Sequence, residues 1–99
     1  MDRQVEFGSL QFVWDQDKAV ANFAKHGIRF EDACEVFFDP LLRLLNASDQ
    51  EEARNAVIGE TANGSLLFVV HIEIENYAVR IISARAATPW ERSDYEDYA

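Results

Sequence analysis

The stretch that decides the fold is RIISARAATPWERSDY, residues 80–95, where a strand-like segment leads into a segment with helical features. It holds Arg80, Arg85 and Arg92, although the whole chain has only nine lysines and arginines against eighteen aspartates and glutamates. A guanidinium stays charged at physiological pH and binds two phosphate oxygens at once. These arginines therefore predict a local phosphate site in a chain that is otherwise acidic.

The spacing of two of these arginines constrains that site. Successive strand residues face opposite sides of a sheet, so a regular strand places Arg80 and Arg85 on opposite faces. We predict that both nevertheless reach one open surface, because a β-bulge lies between them or because the strand has ended by Arg85. The alternative is that Arg80 is a solvated strand residue and that Arg85 pairs with an acidic side chain.

Strand-like segments dominate the second half of the chain. Asn63-Gly64 predicts a hairpin turn between the second and third of them, and Glu75-Asn76 is a weaker turn signal before the fourth. Pro89 then opens a short helix, where proline suits the first turn. The predicted strands lie within LLRLLN (41–46), RNAVIGET (54–61), LLFVVHIEI (66–74) and YAVRIISAR (77–85).

Two helical segments follow a short predicted strand, FVW, at residues 12–14. In DQDKAVANFAKHG, Asp15 is the predicted N-cap and Gly27 is the left-handed residue that ends the helix. FEDACEVFFD predicts a second helix that ends at Pro40. The apolar stripe of the first helix is predicted from Ala19, Val20, Phe23 and Ala24.

The resulting element order is β-α-α-β-β-β-β-α, and its consecutive hairpins indicate an antiparallel sheet. We therefore predict one α+β domain over residues 1–99. It has an antiparallel sheet of four or five strands, two consecutive helices on one face and a short C-terminal helix.

Composition narrows the class of protein. The formal net charge is −9, which counts against nucleic-acid binding unless the site has a local positive field. Residues 1–10 lack the pattern of a signal peptide, and the longest apolar run, LLFVV, is far shorter than a membrane span. The single cysteine, Cys34, has no intramolecular disulfide partner and is predicted to lie in the core. We expect a soluble cytoplasmic protein.

The two histidines have different expected roles. His26 ends the first helix beside Lys25, and an imidazole there can exchange protons near neutral pH or cap the last carbonyl groups. His71 lies within an apolar strand and is predicted to be structural. No pair of His or Cys residues has metal-ligand spacing, so no metal and no cofactor is predicted.

Taken in order, these segments resemble the BrnT family of bacterial toxins from about Phe12 to Glu96. The order and spacing of the motifs carry the resemblance, since each motif alone is short. The motifs are WD, Lys18, Asn22, KHGI, FEDA, the stretch from Arg54 to Gly59, and RIISAR followed by ER and Tyr95.

The resemblance implies a RelE-like α+β fold and a type II toxin–antitoxin system. It implies metal-independent cleavage of RNA, with a ribose 2′-OH attacking the adjacent phosphate. It also implies a partner from a neighbouring gene, a BrnA-like ribbon-helix-helix antitoxin, through which the complex binds DNA. A dimer, or a heterotetramer with the antitoxin, follows from the same resemblance.

The implied chemistry assigns roles to individual residues. Charge builds on the phosphoryl oxygens in the transition state, and positioned cations stabilise it. The predicted catalytic residues are Lys25, His26, Arg54, Arg80 and Arg85, with His26 the best candidate for proton transfer. The predicted substrate-binding residues are Lys18, Glu91 and Arg92, with Glu91 also a weaker candidate for proton transfer.

A second reading is a binding module that keeps the toxin fold and cuts RNA weakly or not at all. The net charge favours it, as does Ala53, because family members often carry glutamate at that position. The retained cations favour the ribonuclease. In both readings the acidic surplus lies away from the cations and attracts a basic partner.

Overall fold

A computed structural model describes residues 1–46, 54–74, 76 and 78–98. Ala53, the departure from the family noted above, lies outside these residues, and so does Glu75 of the predicted Glu75-Asn76 turn. The strands are β1 (Asp2–Phe7), β2 (Leu10–Asp15), β3 (Arg43–Asn46), β4 (Asn55–Glu60), β5 (Leu66–Ile74) and β6 (Ala78–Ala86). The helices are α1 (Gln16–His26), α2 (Phe30–Ala33) and α3 (Pro89–Tyr98), and a 3-10 helix (Cys34–Phe38) follows α2.

The strands form one sheet in the order β1-β2-β6-β5-β4-β3. The α+β class is confirmed, but the prediction of four or five antiparallel strands is wrong. The described residues form six strands, and β2 pairs with β6 in parallel over residues 11–13 and 78–80. Consecutive hairpins gave no sign of this pair, because its two strands are separated by most of the chain.

Strand β1 was missed because DRQVEF is mostly polar and lacks an apolar alternation long enough to predict a strand. It forms a hairpin with β2, with Phe7 opposite Leu10. Gly8 in the turn has φ of 61°, and a Cβ there would lie 2.8 Å from the Phe38 ring. Glycine therefore permits both the left-handed turn and the close approach of the hairpin to the 3-10 helix.

The main core lies between the sheet and the segment that contains α2 and the 3-10 helix. Trp14 of β2 meets Phe30 of α2 edge to face, with ring centroids 5.8 Å apart. Cys34 is fully buried in this core, as predicted, and burial raises the pKa of its thiol to about 12. Gly59 of β4 lies so close to Val36 that a Cβ would be 2.8 Å from the Val36 Cβ.

A second, smaller core lies beneath α3 and consists of Ile58, Leu66 and Tyr95. The Tyr95 hydroxyl donates a 2.6 Å hydrogen bond to Asp39, whose carboxylate also accepts from the backbone N–H groups of Leu41 and Glu60. Burial tends to raise the pKa of Asp39, but these hydrogen bonds outweigh it and lower the pKa. Asp39 thus ties the end of the 3-10 helix to β4 and α3.

The ends of α1 are as predicted, but its buried face is not. The Asp15 carboxylate accepts from the Asp17 N–H, and Gly27 ends the helix with φ of 72°. Val20 and Phe23 are 71% and 52% exposed and Ala24 is exposed as well, so the predicted apolar stripe is wrong at these three positions and right only at Ala19, which packs against the main core. The buried residue of α1 is Asn22, whose side chain bonds the backbone of β6 and occupies the contact face in place of Val20 and Phe23.

Two local predictions in the second half have clear outcomes. The Asn63-Gly64 turn is confirmed, with Gly64 at φ of 88° and the Thr61 N–H donating to the Ser65 carbonyl at 2.8 Å. The second predicted helix is only partly helical in the α sense, since one α turn gives way to a 3-10 helix at Cys34. Over the described part of the chain, no helix has the length and apolarity needed to cross a membrane.

His71 is a buried polar residue in an apolar setting. It is 2% exposed, and its ring meets Phe37 edge to face at 4.9 Å. Among the residues that the structure describes, none forms a hydrogen bond with its Nδ1. Burial lowers the pKa of His71, and the negative charge of Glu73 opposes that shift less strongly. The folded protein therefore disfavours the protonated imidazole.

This arrangement predicts a pH dependence of stability. Because the pKa of His71 is lower in the folded state than its ordinary value of 6.5, the unfolded chain takes up the proton first. The free energy of unfolding should be unaffected by this group above pH 7 and should fall as the pH drops below about 6.5. Urea titrations from pH 7.5 to 5.5 should show this loss in the wild type and a smaller loss in His71→Leu. Equal losses in the two proteins would contradict the prediction.

Candidate functional site

A β-bulge in β6 decides which residues share the outer face of the sheet. Ile81 pairs with His71 and Ser83 pairs with Val70, so Ile82 has no partner on β5. The bulge predicted between the two arginines is therefore present. It lets Val79, Ile81 and Ala84 all face the main core although their spacing is uneven.

The bulge places Arg80 and Arg85 together on the outer face, opposite the main core. Arg80 pairs with Val13 on β2 and with Ile72 on β5, while Arg85 pairs with Phe68. The two arginines are five residues apart, which corresponds to roughly 16 Å along a strand. They can therefore contact one extended ligand on one face, but at separate points along it.

Arg80 lies at one end of this face and is held by β1. Its Nη2 is 2.9 Å and its Nη1 3.3 Å from the two carboxylate oxygens of Asp2. The hydrogen bond from Arg80 lowers the pKa of Asp2, and the same contact raises the pKa of Arg80. Both side chains border a groove of about 420 Å³, together with Asp15, Lys18 and Ile82.

Arg85 lies at the other end and is held by α3. Its Nη1 and Nη2 contact the two Glu91 oxygens at 2.8 and 2.9 Å, and its guanidinium lies 4.3 Å above the centre of the Phe68 ring. Thr88 and Glu91 also exchange side-chain to backbone hydrogen bonds, which is a capping box at the start of α3. Arg85 is thus held by Glu91 and by the Phe68 ring, and its Nη1 also donates to the Ala86 carbonyl at 3.3 Å.

Glu91 has a different place from the one expected of a substrate-binding group. It is buried, and its carboxylate is occupied by Arg85 and by the Thr88 N–H. Burial tends to raise its pKa, but the hydrogen bonds from Arg85 and Thr88 outweigh burial and lower the pKa. Glu91 therefore orients Arg85 and remains ionised at neutral pH.

Arg54 continues a row that crosses the sheet. Asn55 pairs with His71, so Arg54 immediately before it stands beside the row of Ile72 and Arg80. Two strand spacings separate its backbone from that of Arg80, or about 10 Å. Arg54 is half-buried, like the other two predicted catalytic arginines.

Lys18, Asn22 and His26 follow one another at four-residue spacing and so share one face of α1. Lys18 lines the groove beside Arg80, and the Asn22 side chain bonds both the N–H and the carbonyl of Ala84, at 3.1 and 2.8 Å. The helix therefore runs alongside β6, and His26 lies one turn further towards the Arg85 end. His26 is half-buried and Lys25 beside it is exposed.

The remaining predicted residue, Arg92, is exposed on α3, one position after Glu91. Its backbone N–H closes the first turn of the helix on the Thr88 carbonyl at 2.8 Å. Among the residues with described positions, no group of three or more His, Cys, Asp or Glu side chains is placed to hold a metal ion.

Three contributors to this face were missed from the sequence. The sequence pattern gives no sign of Asp2 because it does not predict β1, and it indicates Phe68 only as part of a strand. Asn22 was noted as a motif residue, but its bond to Ala84 depends on the gap left where β2 diverges from β6. The one sequence signal that could have found it is a polar residue among the apolar helix positions of AVANFA, residues 19–24.

The fold and this face define a small α+β protein that carries arginines on one side of a mixed sheet. The model of the family described as "Ribonuclease toxin, BrnT, of type II toxin-antitoxin system" matches residues 14–91. The chain belongs to this BrnT family. The family assignment confirms the resemblance seen in the sequence.

Comparison with solved structures agrees with the family. The crystal structure of the Brucella abortus ribonuclease toxin BrnT superposes with a TM-score of 0.63 and is 29% identical. The match covers 76% of this chain and 92% of that chain. No curated protein matches the chain.

The contacts of Arg85 generate a prediction for Glu91→Gln. Glutamine retains much of the capping box but removes the charge that holds Arg85. We expect a loss of about 1 kcal/mol in the free energy of unfolding, since Arg85 is a third exposed and solvent screens the pair. Glu96→Gln, an exposed change on the same helix, is the matched control and should leave the midpoint of urea unfolding unchanged. Equal midpoints for the two variants would show that the pair contributes no stability.

Proposed function

We propose that this chain is a metal-independent endoribonuclease toxin with a RelE-like fold, acting in the cytoplasm and neutralised by a cognate antitoxin. The observation that carries the proposal is the placement of Arg80 and Arg85 on one face of the sheet by the bulge at Ile82. That face bears charged donors in a chain whose family is described as ribonuclease toxins.

The reaction is the attack of a ribose 2′-OH on the adjacent phosphate, with loss of the 5′-oxygen. Negative charge builds on the phosphoryl oxygens, and positioned guanidinium groups stabilise it. Arg80 and Arg54, which stand in one row across the sheet, are suited to the phosphate that reacts. Arg85, at the other end of the face, is suited to a neighbouring phosphate because its position is fixed by Glu91 and Phe68.

Proton transfer is assigned to the end of α1. A general base must take the 2′-OH proton, and a general acid must protonate the departing oxygen. His26 is half-buried on the face of α1 that also bears Asn22 and Lys18, so it is held near β6. Lys25 is proposed to assist beside it, while Lys18 and Arg92 hold flanking phosphates.

The antitoxin is proposed to be a BrnA-like ribbon-helix-helix protein that also supplies the contact with DNA, in a heterotetramer or a related assembly. An acidic groove supports a basic partner. Its volume is about 370 Å³, and its lining combines apolar Phe7, Phe38 and Pro40 with the carboxylates of Glu35, Asp39 and Glu60. Such a groove fits an apolar anchor flanked by lysine or arginine.

A second candidate function is the binding module without strong ribonuclease activity. The observation that favours it is that both Arg80 and Arg85 already hold carboxylates in bidentate contacts. RNA must displace Asp2 to reach Arg80 fully. Direct measurement of cleavage by the isolated chain decides between the two functions.

Arg80→Ala is the cleanest test of catalysis, because Arg85→Ala would also leave Glu91 buried without its partner. We expect RNA cleavage to fall about 100- to 1000-fold, the usual loss when a donor to the transition state is removed. In the same assay, His26→Ala should lower cleavage about 100-fold. Arg3→Ala removes an exposed arginine from the core-facing side of β1 and serves as the control.

The melting temperature of each of these variants is measured alongside its cleavage rate. If the wild type cleaves RNA and Arg80→Ala cleaves it equally fast, Arg80 has no role in catalysis. A wild type that neither cleaves RNA nor arrests growth when separated from its antitoxin would favour the binding module.

The acidic groove predicts the effect of Glu60→Lys on antitoxin binding. Glu60 is exposed and lines the groove, so reversing its charge should weaken binding of the antitoxin by about tenfold at low salt. The effect should be smaller at high salt, because salt screens the attraction between charges. Glu96→Lys makes the same change of charge on α3, away from the groove, and is the matched control. Titration calorimetry at two salt concentrations gives both affinities. If both variants weaken binding equally, the effect comes from the net charge of the protein and the groove is not the binding site.

A further inference from the structure

Strand β1 supplies an acidic group, Asp2, to a groove whose cations Lys18 and Arg80 lie in the family-matched region. The match begins at residue 14, so Asp2 and the whole of β1 lie outside it, whereas Arg80 and Lys18 lie within it. The hairpin register places Asp2, Gln4 and Glu6 on the outer face of β1 with Val13 of β2, and Val13 pairs with Arg80. Gln4 pairs with Val13 and so stands in the row of Arg80, while Asp2 lies two residues away on the same face of β1, opposite Asp15. The long side chain of Arg80 reaches Asp2 diagonally across β2.

The contact has the geometry with which arginine recognises an oxyanion. Two N–H groups of the guanidinium face the two oxygens of Asp2, as they would face two oxygens of a phosphodiester. One guanidinium fork cannot hold both groups in this way. The carboxylate of Asp2 and a phosphate of RNA therefore compete for the Nη1 and Nη2 donors of Arg80. The negative charge of Asp2 also repels a phosphate that binds on the Nε side.

The two arginine–carboxylate pairs of the face differ in how readily they open. Glu91 is buried and also bound to Thr88, so its pair with Arg85 is part of the fold. Asp2 is half exposed, and within the described contacts its carboxylate bonds only Arg80. Solvent and salt screen such an exposed pair, so a phosphate can replace it at little cost to stability.

We infer that Asp2 is a built-in competitor that sets the affinity of the Arg80 groove for the phosphate backbone of RNA. The groove beside it holds about 420 Å³ and is bordered by Lys18, which supplies a second cation for the same phosphate. Displacement of Asp2 frees Arg80 and leaves β1 paired with β2. The inference rests on the proposed function for the identity of the ligand, but the competition for Arg80 does not depend on cleavage.

The test compares Asp2→Asn with Glu6→Gln in the full chain. Each change removes one negative charge from the same face of β1, but only the first removes the partner of Arg80. The probe is a 2′-O-methyl oligoribonucleotide, which presents the RNA backbone and has no 2′-OH to react, and binding is followed by fluorescence anisotropy at low salt. Asp2→Asn should bind about three- to fivefold more tightly than Glu6→Gln, the range expected for an exposed ion pair.

A double-mutant cycle assigns the effect to Arg80. In an Arg80→Ala background, Asp2→Asn should bind the probe no more tightly than Glu6→Gln does. Equal affinities of the two single variants, or a gain that persists without Arg80, would overturn the inference. So would the absence of probe binding to all of the proteins.

Cleavage of unmodified RNA by the wild type is measured separately and tests the proposed function. If the wild type does not cleave RNA but the probe affinity depends on Asp2 and Arg80, the ribonuclease is rejected and the competition for Arg80 is retained. Cleavage by the wild type, together with a probe affinity that does not depend on Asp2, would support the ribonuclease and reject the competition.

Discussion

The irregularity in β6 at Ile82 is the constraint on which the site depends. Strand β6 is central, with β5 along its length on one side and β2 over a short parallel stretch on the other. Without the bulge, strict alternation would turn either Arg80 or Arg85 into the main core. An unpaired guanidinium there would cost several kcal/mol, so the bulge makes an apolar inner face compatible with two arginines on the outer face.

Where β2 diverges from β6, the backbone of Ala84 would lose its strand partner. The Asn22 side chain supplies both the missing donor and the missing acceptor. This one residue therefore satisfies the buried backbone of β6 at Ala84, anchors α1 alongside the strand and fixes the face of α1 on which Lys18 and His26 stand. It also explains why polar Asn22 is buried while Val20 and Phe23 are exposed.

The negative charge of the chain and its cationic face are compatible because the charges are arranged locally. Each principal arginine is held by a carboxylate from another element, Asp2 for Arg80 and Glu91 for Arg85. The buried pair orients its arginine, and the exposed pair can exchange its carboxylate for another anion. Three other carboxylates, those of Glu35, Asp39 and Glu60, line the acidic groove near Phe38. None of these residues lines the Arg80 groove. The net charge of −9 therefore describes the local charge of neither surface.

The sequence by itself determined the α+β class, the caps of α1, the Asn63-Gly64 turn, the buried Cys34 and the family. These depend on local conformational preferences and on the order of motifs along the chain, both of which a sequence carries directly. Only the tertiary structure decided that β1 joins the sheet, that β2 pairs with β6 in parallel, that Asn22 is buried, and that Glu91 holds Arg85. Each of these depends on residues far apart in the chain meeting across the sheet. Such pairings are chosen by packing and by the need to satisfy buried polar groups, which periodicity within one segment does not encode.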